Sequence, residues 1–240
     1  MGNRKILFGL VGLALGFIVS FMWTRDFNSR NVAAGPPVSD SMSRPSGAGA
    51  GAGGQQAMMA NVRETLKKAT ENPKDYDAQA AAAQLYYQIG RTSEAAEFMK
   101  KAYEINAVAA AKDGIPAVLG GLYHGEGNYK DAETWFRRAL ESNPDDPEVL
   151  TELGATLAEK EPPEVDKGVQ YLEAALKSNP KSGHAMMHMT QIFLMKSDVK
   201  KTEEWLTRFK ATDPTNQNIP RFESQLESLK SGKPVNIPKE

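Results

Sequence analysis

Apolar and small residues return along this chain with two periods at once. Within segments they fall three or four residues apart, the spacing of one face of an α-helix. Between segments the whole pattern comes back about every 34 to 37 residues. Ala82-Ala83-Gln84-Leu85-Tyr86-Tyr87-Gln88-Ile89-Gly90 is answered by Leu119-Gly120-Gly121-Leu122-Tyr123-His124-Gly125-Glu126-Gly127. Each run leads into a second helical stretch, Glu94 to Ile105 in one case and Asp131 to Ser142 in the other. A fixed period of this size means stacked supersecondary units, none able to bury its apolar face alone.

The clearest copy is Asp113 to Asp146. Leu119-Gly120 and Tyr123 mark its first helix, Gly127-Asn128-Tyr129 its turn, and Ala132, Phe136 and Ala139 a small-large-small stripe on its second helix. Tyr76 to about Val108 repeats this with Ala83, Tyr86, Gly90, Ala95, Met99 and Ala102. That copy has Ala107 in place of a closing Pro, so its second helix is expected to run on through Ala109-Ala110-Ala111. Pro147 to Ser182 carries Leu153-Gly154, Leu157, Ala175 and Pro180, with two extra turn residues and Gly168 where Ala is usual. Gly183 to Asn216 diverges most, with Thr190, Thr202 and Phe209 at positions that favour small residues. Small residues let helices approach to about 8–10 Å. Gly90 and Gly127 suit a left-handed residue after a helix, and Asn143-Pro144-Asp145-Asp146-Pro147 ends one helix and opens the next.

Period and pattern together resemble the tetratricopeptide repeat, a helix-turn-helix unit. The resemblance implies an all-α fold, a right-handed superhelical solenoid with repeats at about 76–108, 113–146, 147–182 and 183–216. Met58 to Glu71 is expected as a lone leading helix, and a helix at about 219–230, carrying Phe222, Leu226 and Leu229, as a cap. Ten helices and no strands result, in a domain of residues 57–232 followed by a short flexible tail.

Ahead of the repeats, Ile6 to Trp23 is an 18-residue run without a charge, long enough to cross about 30 Å of hydrocarbon. It is read as an uncleaved signal anchor behind a head of residues 1–5, with Arg4 and Lys5 favouring a cytoplasmic N-terminus. The repeats would then lie in the periplasm of a bacterial source. Residues 24–56, rich in Gly, Pro, Ser and Ala, are read as a disordered tether. Gly12 and Gly16 form a G-x-x-x-G inside the anchor, a motif for weak self-association.

Composition narrows the chemistry. Residues 57–240 carry 24 basic and 28 acidic side chains without a basic block, which argues against a nucleic-acid partner. Absence of Cys removes disulfides, thiolate zinc sites and Cys nucleophiles. No nucleophile elbow, P-loop, H-E-x-x-H or dinucleotide fingerprint occurs, so neither an enzyme nor a cofactor is expected. Carboxylates such as Glu133, Glu141, Glu203 and Glu204 read as solvated helix surface. His184 and His188 share a helix face at a spacing that can bind metal. Three or four ligands are needed, however, so no metal is expected and the pair is read as ordinary helix surface.

In the resembled family, the inner face takes partners at set places in each unit. Carried over, these are Asp77, Ala80, Gln84, Tyr87 and Gln88, then Ala117, Gly121 and His124, then Glu148, Thr151, Ala155 and Glu159. The last copy adds His184, Met187, Gln191, Leu194 and Met195. None is Lys, Arg or Asn, so the carboxylate clamp of some family members is not expected, and the lining suits an apolar helix or extended segment. The expected function is a membrane-tethered adaptor or scaffold that serves assembly of an envelope complex. The layout is also similar to the repeat components of bacterial cytochrome c maturation, which hold an apocytochrome. A permanent structural subunit of an envelope complex is the remaining alternative.

Overall fold

A computed structural model describes residues 51–233. The anchor, its Gly12 and Gly16, and most of the tether lie outside them. Among the described residues every regular element is a helix, and none is long and apolar enough to cross a membrane. In chain order these are α1 (Gly51–Glu71), α2 (Tyr76–Gln88), α3 (Thr92–Ile105), α4 (Ala107–Lys112), α5 (Ile115–Gly125) and α6 (Tyr129–Ser142). They continue as α7 (Pro147–Glu159), α8 (Val165–Ser178), α9 (Gly183–Met195), α10 (Val199–Thr212) and α11 (Ile219–Lys230).

Two compact units divide within α5, after Val118. In the first, α2 and α3 form a hairpin of 13 and 14 residues. Its core is mostly alanine: Ala80, Ala82, Ala83, Ala95 and Ala102 are fully buried around Met99. Side chains that small allow close helix contact, and Met99 fills the gap that remains. Gln79, buried at 1 % exposure, donates from Nε2 to the Ala69 carbonyl at 2.7 Å and to that of Asn72. It thereby satisfies orphan carbonyls at the end of α1. The Tyr76 hydroxyl donates to Asp113 Oδ2 at 2.6 Å, tying residues one period apart.

Two expectations are corrected here. The second helix of the first copy does not run on through Ala109–Ala111. It stops at Ile105, where Asn106 turns extended (φ −150°, ψ 88°) and caps a separate short helix by accepting from the Ala109 N–H. An Asn side chain competes with the helical backbone and prefers a cap, which makes eleven helices among the described residues rather than ten. Helix α1 also starts at Gly51, inside the stretch read as tether. Extending a formed helix fixes one residue per added hydrogen bond, so it can spread into poor helix formers.

The second unit holds the end of α5, then α6, the α7–α8 and α9–α10 hairpins, and α11. Helices α7 and α9 have 13 residues, and α6, α8 and α10 have 14. Asn128, Asp146, Ser182 and Asp198 each accept a backbone N–H in the first turn of the helix that follows. Its hydrophobic cluster runs through Leu150, Leu172, Met189, Phe193, Leu206, Phe209 and Phe222. At Gly154 and Gly168 the backbones of helices α7 and α8 come into direct contact. A Cβ on Gly154 would lie 2.9 Å from the Gly168 carbonyl oxygen, and one on Gly168 would lie 2.6 Å from that of Gly154.

The divergent fourth copy keeps the helical hairpin of the others. Thr190 and Thr202 are fully buried because each hydroxyl donates to a carbonyl of its own helix, Met186 O and Asp198 O. Once that donor is satisfied, Thr serves as a small residue. Phe209 is large because its neighbour is α11, where Phe222 meets it edge-on at 6.3 Å. The turn is also the same. Asp198 N–H reaches Phe193 O, as Asn128 reaches Tyr123 and Arg91 reaches Tyr86, although Ser197 (φ 55°) stands where the earlier turns have Gly.

Candidate functional site

All three histidines of the chain gather in the second unit, on one face formed by α5, α7 and α9. Helix geometry explains this. Glu148, Glu152 and Glu159 are spaced i, i+4 and i+11 on α7, and His184, His188 and Met195 repeat that spacing on α9. At about 100° per residue, each set spans only about 40° of its helix. The two stripes lie side by side. His184 Nδ1 is 3.7 Å from both Glu148 Oε2 and Glu152 Oε1. His124, from the last turn of α5, sets Nε2 3.1 Å from Glu159 Oε2 and Nδ1 3.8 Å from Glu152 Oε2. Glu152 therefore stands between two imidazoles.

His188 lies deeper, at 6 % exposure, with Nε2 3.0 Å from His184 Nε2. At that distance one ring donates and the other accepts. Burial, reinforced by the charges of His184 and His124, pushes His188 well below the ordinary histidine range, so it is neutral at physiological pH. Burial opposes charge at His124 as well. There the Glu159 hydrogen bond and the negative charges of Glu152 and Glu159 outweigh it and raise its pKa. The His184 imidazole beside it holds the Glu148 carboxyl below its usual range despite burial.

These groups can present acceptors and transfer protons between imidazole and carboxylate. Among the described residues, no group of three or more His, Cys, Asp or Glu is arranged to hold a metal ion.

Profiles described as Tetratricopeptide repeat match residues 76–108 and 117–156. The chain carries tetratricopeptide repeats. Solved structures of the same fold include MamA, at 17 % identity and TM-score 0.55, covering 73 % of this chain and 94 % of that one. Another is Pseudomonas aeruginosa pilF, at 16 % and 0.56, covering 74 % and 80 %. A third is YrrB, described as a TPR protein with an unusual peptide-binding site, at 17 % and 0.51, covering 70 % and 92 %. Comparison with curated proteins finds no match.

The lining positions inferred from the TPR pattern fall into distinct groups. In the first unit Asp77 and Gln88 are exposed, Gln84, Tyr87 and Ala117 partly buried, and Ala80 fully buried. In the second, His124, Glu148, Glu159, His184 and Met187 are partly accessible, and Gly121 and Met195 are exposed. Thr151, Ala155, Gln191 and Leu194 are buried, Thr151 closing its hydroxyl onto the Pro147 carbonyl.

Three readings of individual residues change. His184 and His188 are not ordinary helix surface but part of a joined histidine–glutamate face. Glu133 is not simply solvated: Arg137 and, at 2.8 Å, Lys160 both donate to it. Glu152, at the centre of the face, was not among the inferred lining positions. It falls between the places the TPR pattern assigns, and only its i+4 relation to Glu148 points to it.

Proposed function

We propose that this chain is a non-enzymatic adaptor that holds a segment of a partner protein against the inner helices of its TPR units. The observation that carries this reading is the face of α5, α7 and α9, where titratable side chains converge although the fold does not need them for its core. Hydrophobic packing alone would fill such positions with Ala or Leu, as it does at Ala155 and Leu194. Solenoids use such surfaces for extended partners, and the peptide-binding site attributed to YrrB offers a parallel on the same fold. The uncharged run Ile6 to Trp23 supports a membrane anchor, and Arg4 and Lys5 ahead of it support repeats on the periplasmic side, where a tether would raise the local concentration of the captured partner.

Photo-crosslinking in cells tests the reading. A reactive residue is placed in the full chain at Tyr87, His124 or His184, with exposed Glu173 on α8 as the control. Discrete protein adducts from the first three positions and none from Glu173 are expected. Adducts from Glu173 alone would place the working surface on the second helices and favour a permanently packed structural subunit.

A further inference from the structure

The face built by α7 and α9 carries more negative charge than it can neutralise. It holds three carboxylates, Glu148, Glu152 and Glu159, whose charged neighbours in the described contacts are imidazoles. His188 is buried and neutral, so at most His124 and His184 can be cationic. Even with both protonated, one negative charge is left over, and more are left as they deprotonate. Glu152 and Glu159 are only 16 % exposed in their side chains, so water screens this surplus weakly.

Gln191 points independently to a missing donor. It is 93 % buried, seven residues beyond His184 on the same side of α9, and its Oε1 has no hydrogen-bond partner. A buried amide oxygen without a donor is costly. The same face therefore offers carboxylate oxygens and an unsatisfied amide oxygen, all of them acceptors. A metal ion would require three or four ligands in place, and no such group exists among the described residues. An organic cation remains: ammonium and guanidinium groups are pure donors and pair strongly with carboxylates.

We propose that this face takes a basic segment of the partner protein, seating Lys or Arg side chains along the stripe of Glu148, Glu152 and Glu159, on the face that also carries the unsatisfied Gln191 Oε1. The inference rests on the adaptor reading and specifies the partner's chemistry. It departs from the apolar segment expected from the lining as a whole, because His124, Glu148, Glu159 and His184 are partly accessible there beside Met187, Gly121 and Met195.

Selection from a phage library of short random peptides on the detergent-solubilised full chain tests it. The comparison protein carries Glu148→Gln, Glu152→Gln and Glu159→Gln together, and a second carries Glu159→Gln alone in case the triple variant does not fold by circular dichroism. Peptides selected on the unaltered chain should be enriched in Lys and Arg over the input library, and that enrichment should shrink or vanish on the variants. A selected peptide, synthesised and titrated by fluorescence anisotropy, should bind the triple variant at least about tenfold more weakly, and Glu173→Gln should leave its affinity unchanged. Peptides without a basic bias, or an equal bias on variant and unaltered chains, would overturn the inference while leaving the adaptor reading intact. No enrichment at all would overturn the inference, and the crosslinking experiment would then decide the adaptor reading separately.

Discussion

At the scale of single residues, two histidines of one cluster are tuned in opposite directions, and the fold's pH response should show both. His188 faces His184 on its own helix and feels the charge of His124 from α5, and burial depresses its pKa. A base depressed in the fold binds fewer protons there than in the unfolded chain. Its contribution is present above an unfolded pKa of about 6.5 and is lost as pH falls below it. His124 has the reverse sign. Its pKa is raised by Glu159 and Glu152 against burial, so its contribution is complete below about 6.5 and is lost as pH rises through the higher folded value. Thermal unfolding between pH 7.5 and pH 5, above the ordinary carboxylate range of about 4, should separate the two. His188→Gln is expected to flatten the loss of stability on acidification, and His124→Gln to steepen it. Equal slopes in both variants would mean that the two rings do not titrate as their surroundings dictate. None of this was visible in the sequence, because His124 and His184 stand 60 positions apart. Only the stacking of α5, α7 and α9 brings them to Glu152.

At the scale of the element, the repeat's small residues were legible, but the reasons for individual ones were not. Gly168 stands where Ala is usual, and as sequence it looks like a tolerated loss. In the α7–α8 hairpin it is a steric requirement, with the Gly154 carbonyl 2.6 Å from the place a Cβ would take. Backbone cannot yield as a side-chain end can, so Gly168→Ala must push the helices apart along their whole contact. The usual gain in helix propensity on replacing Gly, about 1 kcal/mol, should be outweighed. A net loss of about 1–3 kcal/mol is expected from overpacking, measured by urea unfolding. An unchanged or higher midpoint would show that the hairpin slides to accommodate the methyl. Thr190 and Thr202 are the converse. They read as departures, yet their hydroxyls are absorbed by their own helices. The break at Asn106 was missed for a similar local reason. Helical periodicity continues across it into Ala109–Ala111, whereas the Asn side chain bonds to the backbone and restarts the helix.

At the scale of the whole chain, a repeat array draws its stability from each element's contact with the next, so its ends matter more than their share of residues suggests. The period of 34 to 37 residues was enough to expect stacked hairpins and a final cap, because such a period has few physical solutions. The character of the end shows in Phe209. In the earlier copies the residue at this place is small, Ala102, Ala139 and Ala175. This one is large, fully buried, and set edge-on to Phe222 of α11, with Ile219 and Leu226 buried beside it. Helix α11 therefore completes the hydrophobic cluster of the second unit. Phe222→Ala should cost about 3–5 kcal/mol, the usual range for emptying a buried aromatic site. The loss should also be local. Native-state hydrogen exchange is expected to show α10 and α11 losing protection while α2 and α3 in the first unit keep theirs, since coupling in such arrays decays with each interface. A uniform loss of protection through both units would mean that the chain unfolds as one cooperative body. A partner held on α7 and α9 would then be released whenever the end cap opens.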